Sequence, residues 1–299
     1  MFTGYNFIDI LINLVLALIM LGIGLSLTVL DFKKLFAHPR SLFSALGIQL
    51  ILIPAVAFAI ASVSGLSYPV KVGIVVVSLC ASGASSNLIT HLFKGNVALA
   101  ISMTAINSLI TLVSIPLLAD LALYVFTGVG KQIWLPVPET IFQIFMITII
   151  PAGIGVLIRK KKERFAINAE RPLKVILPLL LVSVFTLKIF LNLASGGTGI
   201  TSRETFMILP FMLLLNFAAM LTGFIISRSA KLPFADQFTV AIEVGLHNTA
   251  LALLITGTIL KNPDMEKPAV VYAMFSFFTA VLFVYLIKLI FKKRSVDPS

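Results

Sequence analysis

The feature that most constrains this chain is a succession of apolar runs, each long enough to cross a lipid bilayer. A helix needs about 20 apolar residues to cross a hydrocarbon core of about 30 Å. Only 12% of the 299 residues are charged and 59% are hydrophobic, whereas a soluble domain carries about 25% charged residues. We therefore expect an all-α polytopic membrane protein, one transmembrane unit over 1–299, with nine spans at 7–29, 39–63, 69–94, 96–126, 135–158, 172–196, 205–229, 234–260 and 268–291.

Lysine and arginine are concentrated in alternate loops, most densely in RKKKERF at 159–165. Because basic loops stay in the cytoplasm, the pattern predicts an outside N-terminus and a cytoplasmic C-terminus in the cell inner or plasma membrane. The net charge of +11 then reflects membrane topology, and no aromatic or groove-reading pattern points to nucleic acid. The first run lacks a basic leader and is predicted to be retained. The single cysteine, Cys80, forms no intrachain disulfide and leaves the redox compartment open.

Two of the predicted spans are unusually polar. They read VSLCASGASSNLITHLFKGN at 77–96 and VAIEVGLHNTALALLI at 240–255. Each has a glycine followed closely by an asparagine, Gly83 with Asn87 and Gly245 with Asn248, a local chemistry that stops and restarts helices. Non-helical backbone survives at membrane depth only when it is buried in protein or lines a cavity. We predict two broken helices, although small-residue helix packing is the alternative for all but Glu243.

The two predicted breaks occupy corresponding places in two halves of the chain, 1–126 and 135–291. Paired interrupted segments are typical of transporters built from two inverted repeats, with the binding site between the breaks. The free N-termini of the half-helices favour anions, and their free carbonyl groups favour cations. The sequence therefore predicts a secondary transporter.

Glu243 and Lys188 are the two charges predicted to lie deep within their spans, because the other charged residues lie in loops or near the ends of spans. A carboxylate near the bilayer centre must be paired, protonated or bound to a cation, so Glu243 indicates a cation site for sodium or a proton. Lys188 lies eight residues before Gly196. Its side chain is expected either to extend towards the interface or pair with a carboxylate, or to contact an anionic substrate.

These segments also resemble those of the bile acid:sodium symporter family over nearly the whole chain. The similar stretches are LIMLGIGLSLTVLDFKKLFAHPR, SGASSNLITHLFKGNVALAISMT and LPFADQFTVAIEVGLHNTALA. The resemblance implies a core domain and a panel domain, two broken crossing helices and alternating access.

The resemblance also implies two sodium sites. Ser86, Asn87, Thr104 and Glu243 stand at the family's ligand positions for the first, although Ala100 replaces a hydroxyl there. The second would use Gln49, Glu243, the carbonyl groups of Val244 and Leu246, and His247, which replaces a glutamine. Because sodium prefers hard oxygen ligands, His247 either makes the site proton-sensitive or is a neutral side chain that hydrogen-bonds a carbonyl group.

The substrate contacts implied by the resemblance are Asn248, Ala84, which replaces a threonine of close relatives, and Thr279, next to Ala280. We predict sodium-coupled symport of an organic anion, either bile-acid-like or a smaller carboxylate. The alternatives are proton coupling through Glu243 and His247, and a channel or sensor without concentrative uptake. No metal-ligand spacing, catalytic triad or phosphate-binding glycine loop indicates an enzyme or a cofactor.

Overall fold

The computed structural model describes residues 7–27, 39–127 and 137–292, and these residues contain helices and no β-strand. The predicted all-α class is confirmed. In chain order the helices are α1 (Phe7–Ser26), α2 (Arg40–Val63), α3 (Tyr68–Leu79), α4 (Ala84–Leu92), α5 (Val97–Thr127), α6 (Val137–Lys161), α7 (Glu163–Phe190), α8 (Ser202–Ser229), α9 (Phe234–Gly245), α10 (Thr249–Leu253) and α11 (Pro263–Lys292). Three π-helical stretches interrupt or extend them, at Ile48–Leu52 in α2, Phe145–Ile149 in α6 and Leu254–Ile259 after α10.

Seven described segments are long and apolar enough to cross a membrane, namely α1, α2, α5, α6, α8, the α9–α10 pair and α11. The predicted spans 69–94 and 172–196 contain shorter apolar helices, Tyr68–Leu79 and Val175–Phe190. The chain is therefore polytopic, and the exact count of nine spans stays a prediction. Helix α7 ends at Phe190, six residues before the predicted end, because the backbone of Leu191 is extended. A short 3-10 turn, Leu193–Ser195, follows and ends at Gly196, which adopts a left-handed conformation.

Both predicted breaks are present. The chain is non-helical between Leu79 and Ala84 and again between Gly245 and Thr249. The first break ends at Gly83 instead of following it, so Asn87 lies within α4. Gly245 has a packing reason to be glycine, because a Cβ atom there would lie 2.1 Å from Cγ of Met220.

The helix breaks lie at the centre of the packing. Every residue from 236 to 256, which includes the second break, is buried. Helices α3, α8 and α11 pack around this segment, whereas α1 packs mainly against α6 and α7. The division into repeats 1–126 and 135–291, and into core and panel domains, stays a prediction.

Glycines allow α1 and α6 to cross closely. A Cβ atom at Gly24 would lie 2.1 Å from the carbonyl oxygen of Ala152, and one at Gly155 would lie 2.4 Å from that of Leu21. Small residues at such crossings let helix backbones approach in the membrane, where dispersion contacts replace the hydrophobic effect as the attraction. Helices α1 and α6 are thus held together by backbone contact.

Two glycines of α6 give a matched test of this crossing. Gly155→Ala should lower the free energy of unfolding by about 1–3 kcal/mol, because the added methyl group forces the backbones apart. Gly153→Ala should be neutral or slightly stabilising, because nothing lies within 4 Å of a Cβ atom there and alanine favours helix. Thermal unfolding in detergent measures both, and equal effects of the two substitutions would contradict the close crossing.

Candidate functional site

Glu243 lies in the last turn of α9, just before the second break, and is fully buried. Its Oε2 atom accepts hydrogen bonds from the hydroxyl group of Thr104 on α5, at 2.9 Å, and from the hydroxyl group of Ser82 in the first break. The two hydroxyl oxygens are 3.1 Å apart. One carboxylate oxygen thus joins both halves of the chain.

Three buried oxygen atoms around the breaks have no hydrogen-bond partner among the residues that the structure describes. They are Glu243 Oε1, Gln49 Oε1 and Asn87 Oδ1. Gln49 lies in the π-helical stretch of α2, and its amide nitrogen donates to the carbonyl oxygen of Ser78 at 3.2 Å. Leaving a buried acceptor unpaired costs about 1–3 kcal/mol. These hard oxygen atoms suit a cation without a strong preference for nitrogen or sulfur.

The remaining predicted cation ligands surround the same breaks. The hydroxyl group of Ser86 donates to the carbonyl oxygen of Gly83 at 2.7 Å. Val244 and Leu246 flank Gly245 at the end of α9, where a helix leaves carbonyl groups without intrahelical partners. The roles of all three in binding a cation stay predictions.

His247 lies in the second break and is buried. Its Nδ1 atom is 3.3 Å from the carbonyl oxygen of Cys80 in the first break. Since a carbonyl oxygen only accepts, Nδ1 carries the hydrogen of this bond and a neutral ring has its lone pair on Nε2. Nε2 has no partner among the described residues. The hydrogen bond to a carbonyl group, one of the two expectations for His247, is therefore present.

The two breaks are bonded to each other and to α8 and α11. The backbone N–H of Asn248 donates to the carbonyl oxygen of Ala81 at 2.9 Å, and its side chain accepts from the N–H of Leu251, at the start of α10. The carbonyl group of Gly245 accepts from the Asn216 amide at 2.7 Å and from the hydroxyl group of Tyr272. Protein groups thus bond part of the non-helical backbone, as membrane depth requires.

A cavity of about 420 Å³ separates α1 and α7 from the breaks. Among the described residues that line it, none is a lysine, arginine, aspartate or glutamate. Its α1 and α7 side is apolar and the break side is polar, with representative side chains Ile19, Ile23, Leu177 and Leu181 facing Asn87, His247 and Asn248. The cavity is amphipathic.

The predicted substrate contacts fall in different places. Asn248 lines the cavity, and Ala84 begins α4 between the lining residues Gly83 and Ser85. Thr279 instead donates to Oδ1 of Asn216 at 2.6 Å and is not among the described lining residues.

Lys188 is buried in an ion pair. Its Nζ atom lies 3.2 Å from Asp9 and 2.9 Å from Glu266, and the described cavity lining does not include it. Pairing with a carboxylate, one of the two expectations for Lys188, is what the structure displays. Contacts of Lys188, Thr279, Ala84 and Asn248 with a substrate stay predictions.

Two residues of the site, Ser82 and Asn216, were not predicted from the sequence. Ser82, in the string SGASSN, bonds Glu243, and the only signal for it was its position in the polar segment. Asn216 supports the second break from the middle of an apolar helix. A buried asparagine in an apolar span is the kind of residue that bonds a neighbouring helix, which would have been a usable signal.

A sequence model of the Sodium Bile acid symporter family matches residues 13–203. The chain belongs to this family. It is 28% identical to the sodium-dependent transporter YocS of Bacillus subtilis (strain 168) over 99% of the chain and 88% of that protein. It is also 29% identical to the chloroplastic sodium/metabolite cotransporter BASS2 of Oryza sativa subsp. japonica, over 86% of the chain and 58% of that protein.

A human relative, sodium/bile acid cotransporter 4, is 28% identical over 94% of the chain and 64% of its own length. The family is one of transporters, not of enzymes. The chain is accordingly a multi-pass membrane transporter, and its relatives support sodium as the coupling ion. The orientation of its termini stays a prediction.

Replacing Asn216 tests the support of the second break. Asn216→Leu should lower the free energy of unfolding by about 1–3 kcal/mol, because the carbonyl group of Gly245 loses one buried donor and Thr279 one acceptor. Thr222→Val on the same helix should be nearly neutral, because the Thr222 hydroxyl bonds only carbonyl groups of its own helix. Thermal unfolding compares the two, and a neutral Asn216→Leu would contradict this support.

Proposed function

We propose that this protein is a sodium-coupled symporter of an organic anion that works by alternating access. The observation that carries the proposal is the fully buried carboxylate of Glu243, with one oxygen bonded and the other unpartnered among the described residues, beside two helix breaks. A buried carboxylate requires a cation or a proton. The sodium-dependent relatives favour sodium.

Sodium would bind among the unpaired oxygen atoms at the breaks. Glu243 supplies the negative charge, and Asn87, Thr104 and Ser86 surround the first site. Gln49, with the carbonyl groups of Val244 and Leu246, would serve a second. Binding of sodium would neutralise Glu243 and lower the cost of bringing an anion to the adjacent cavity, because unlike charges attract strongly at low local dielectric constant.

The substrate would occupy the cavity between α1, α7 and the breaks. Its apolar body would contact the isoleucine and leucine side chains, and its anionic group would face the N-terminus of α4, whose N–H groups favour negative charge. The described lining contains no lysine or arginine, so the proposed sources of positive potential are sodium and this helix terminus, beside the two lining histidines, His91 and His247. A bile-acid-like molecule or a smaller carboxylate fits this chemistry. Helices α1, α6 and α7 would act as the panel and the other helices as the core.

A sodium titration of the purified protein tests the coupling ion. Sodium chloride should raise the melting temperature relative to potassium chloride at equal ionic strength, because a ligand of the folded state stabilises it by about 2.7 kcal/mol at 100 times its dissociation constant. Glu243→Gln should abolish the difference. Asp236→Asn is the control on the same helix, because Asp236 is buried but bonds Ser41 and Asn96 away from the breaks, and it should keep the response. Equal melting temperatures in both salts would contradict sodium coupling.

Proton coupling through Glu243 and His247 is the second candidate, favoured by Nε2 of His247, which has no partner in the described part of the chain. A protonated imidazole at the breaks would repel sodium, so sodium stabilisation should decline as pH falls. His247→Gln should keep the sodium response to lower pH, because glutamine cannot acquire the charge. The measurement is the sodium-dependent melting shift from about pH 5 to pH 8, the range in which histidine changes its charge. If the sodium-dependent melting shift of His247→Gln has the same pH profile as that of the parent, His247 takes no part in the coupling.

A further inference from the structure

A buried ion cluster lies outside the site described above. Nζ of Lys188 on α7 is 3.2 Å from Oδ1 of Asp9 on α1 and 2.9 Å from Oε2 of Glu266 on α11. The three residues are 2%, 8% and 3% exposed. Lysine and glutamate are almost never fully buried unless they are paired. We call these three residues the ion triad.

The surrounding backbone is shaped to hold the ion triad. A Cβ atom at Gly257 would lie 1.9 Å from Oε1 of Glu266, so a larger residue there would displace that carboxylate. At the end of α7, the N–H and hydroxyl groups of Thr198 both bond the carbonyl oxygen of Lys188. These contacts fix both sides of the Lys188–Glu266 pair.

The ion triad and the cavity lie at opposite ends of the same two helices. On α1, Asp9 is ten residues before the first cavity-lining residue, Ile19, which is about 15 Å along a helix. On α7, the last lining residue is Leu181, two turns before Lys188. The two helices are therefore separated from the breaks by the cavity at one end and bonded to α11 by buried charges at the other.

The charges of the ion triad divide unequally between the α1–α7 pair and α11. Lys188 and Asp9 lie on α7 and α1, which pack together, and form a neutral pair by themselves. Glu266 lies on α11 beside Lys267, which is already paired with Glu204 and Asp264. If α11 moves away from α1 and α7, the neutral Lys188–Asp9 pair stays with α1 and α7, and Glu266 becomes hydrated.

We propose that the ion triad is an ionic gate that closes the transporter at the end opposite the cavity, which is the predicted outer end, and that Glu266 is the partner that separates when this end opens. The inference rests on the alternating access of the proposed function. The attraction between two buried charges offsets the cost of their desolvation only at close range and in good geometry. Such a contact is therefore either fully formed or broken and hydrated. Access to the outer side therefore requires the Lys188–Glu266 contact to break.

A cysteine reporter measures whether this end is open. Thr258 is 4% exposed, and its hydroxyl group lies 3.5 Å from Oδ1 of Asn13, one turn after Asp9 on α1. Thr258→Cys, in a background with the single native cysteine removed by Cys80→Ala, should react slowly with a hydrophilic maleimide while the gate is closed. The purified protein in nanodiscs, without sodium or substrate, exposes both membrane faces to the reagent.

Removing the ammonium group should open the gate. Lys188→Met leaves two carboxylates buried without compensation, so labelling of the reporter should become at least about tenfold faster. The triple variant Asp9→Asn, Lys188→Met, Glu266→Gln carries none of the three charges of the ion triad and should return within about threefold of the parent rate. Gly257→Ala keeps all three charges but displaces Glu266, and it should also accelerate labelling.

Glu204→Gln is the matched control, because it weakens the neighbouring Lys267–Glu204 pair, of which Glu204 is the more exposed partner. Glutamine at this position preserves the capping box with Thr201. Its labelling rate should equal that of the parent. Parent-like rates in both Lys188→Met and Gly257→Ala would overturn the gate, and so would a triple variant as fast as Lys188→Met. If Lys188→Met fails to fold, Gly257→Ala decides.

The outcome is separable from that of the sodium titration. If the labelling rate depends on the ion triad but sodium does not raise the melting temperature of the parent, the gate is supported and sodium coupling is contradicted. If sodium raises the melting temperature but the labelling rate does not depend on the ion triad, the sodium-coupled symporter is supported and the gate is contradicted.

Discussion

The two helix breaks impose the constraint on which the rest of the interior depends, because non-helical backbone at membrane depth must find partners within the protein. The N–H of Asn248 meets the carbonyl group of Ala81, and the carbonyl group of Gly245 meets Asn216 and Tyr272. These bonds connect the breaks to each other and to α8 and α11. They hold residues far apart in sequence at fixed positions.

Hydrogen bonds from the first half of the chain hold the Glu243 carboxylate in the core. Glu243 shares Oε2 with Ser82 and Thr104 and leaves Oε1 without a described partner. A fully satisfied carboxylate would have no reason to bind an ion, and a mobile one would not hold a defined site. Under the proposed function, a bound cation would complete this partly satisfied arrangement, which would link the packing of the breaks to transport.

The two ends of the α1 and α7 pair differ in their chemistry. One end faces an amphipathic cavity, where few contacts resist movement. The other end is bonded through the ion triad to α11. The close crossing of α1 and α6 at Gly24 and Gly155 would let these helices move as one body, because their backbones are already in contact. Motion of that body would exchange a cavity at one end for an opening at the other.

The sequence by itself determined the membrane environment, the all-helical class, both breaks and the place of the Glu243 charge within a span. Apolar length, glycine with asparagine, and an isolated charge are local signals, and each depends on a few turns of chain. Only the tertiary structure decided that Ser82 bonds Glu243 directly while Ser86 bonds Gly83, and that Lys188 pairs with carboxylates 179 and 78 residues away. Such partners depend on which helix faces meet at distances of a few ångströms, and no local pattern encodes that geometry.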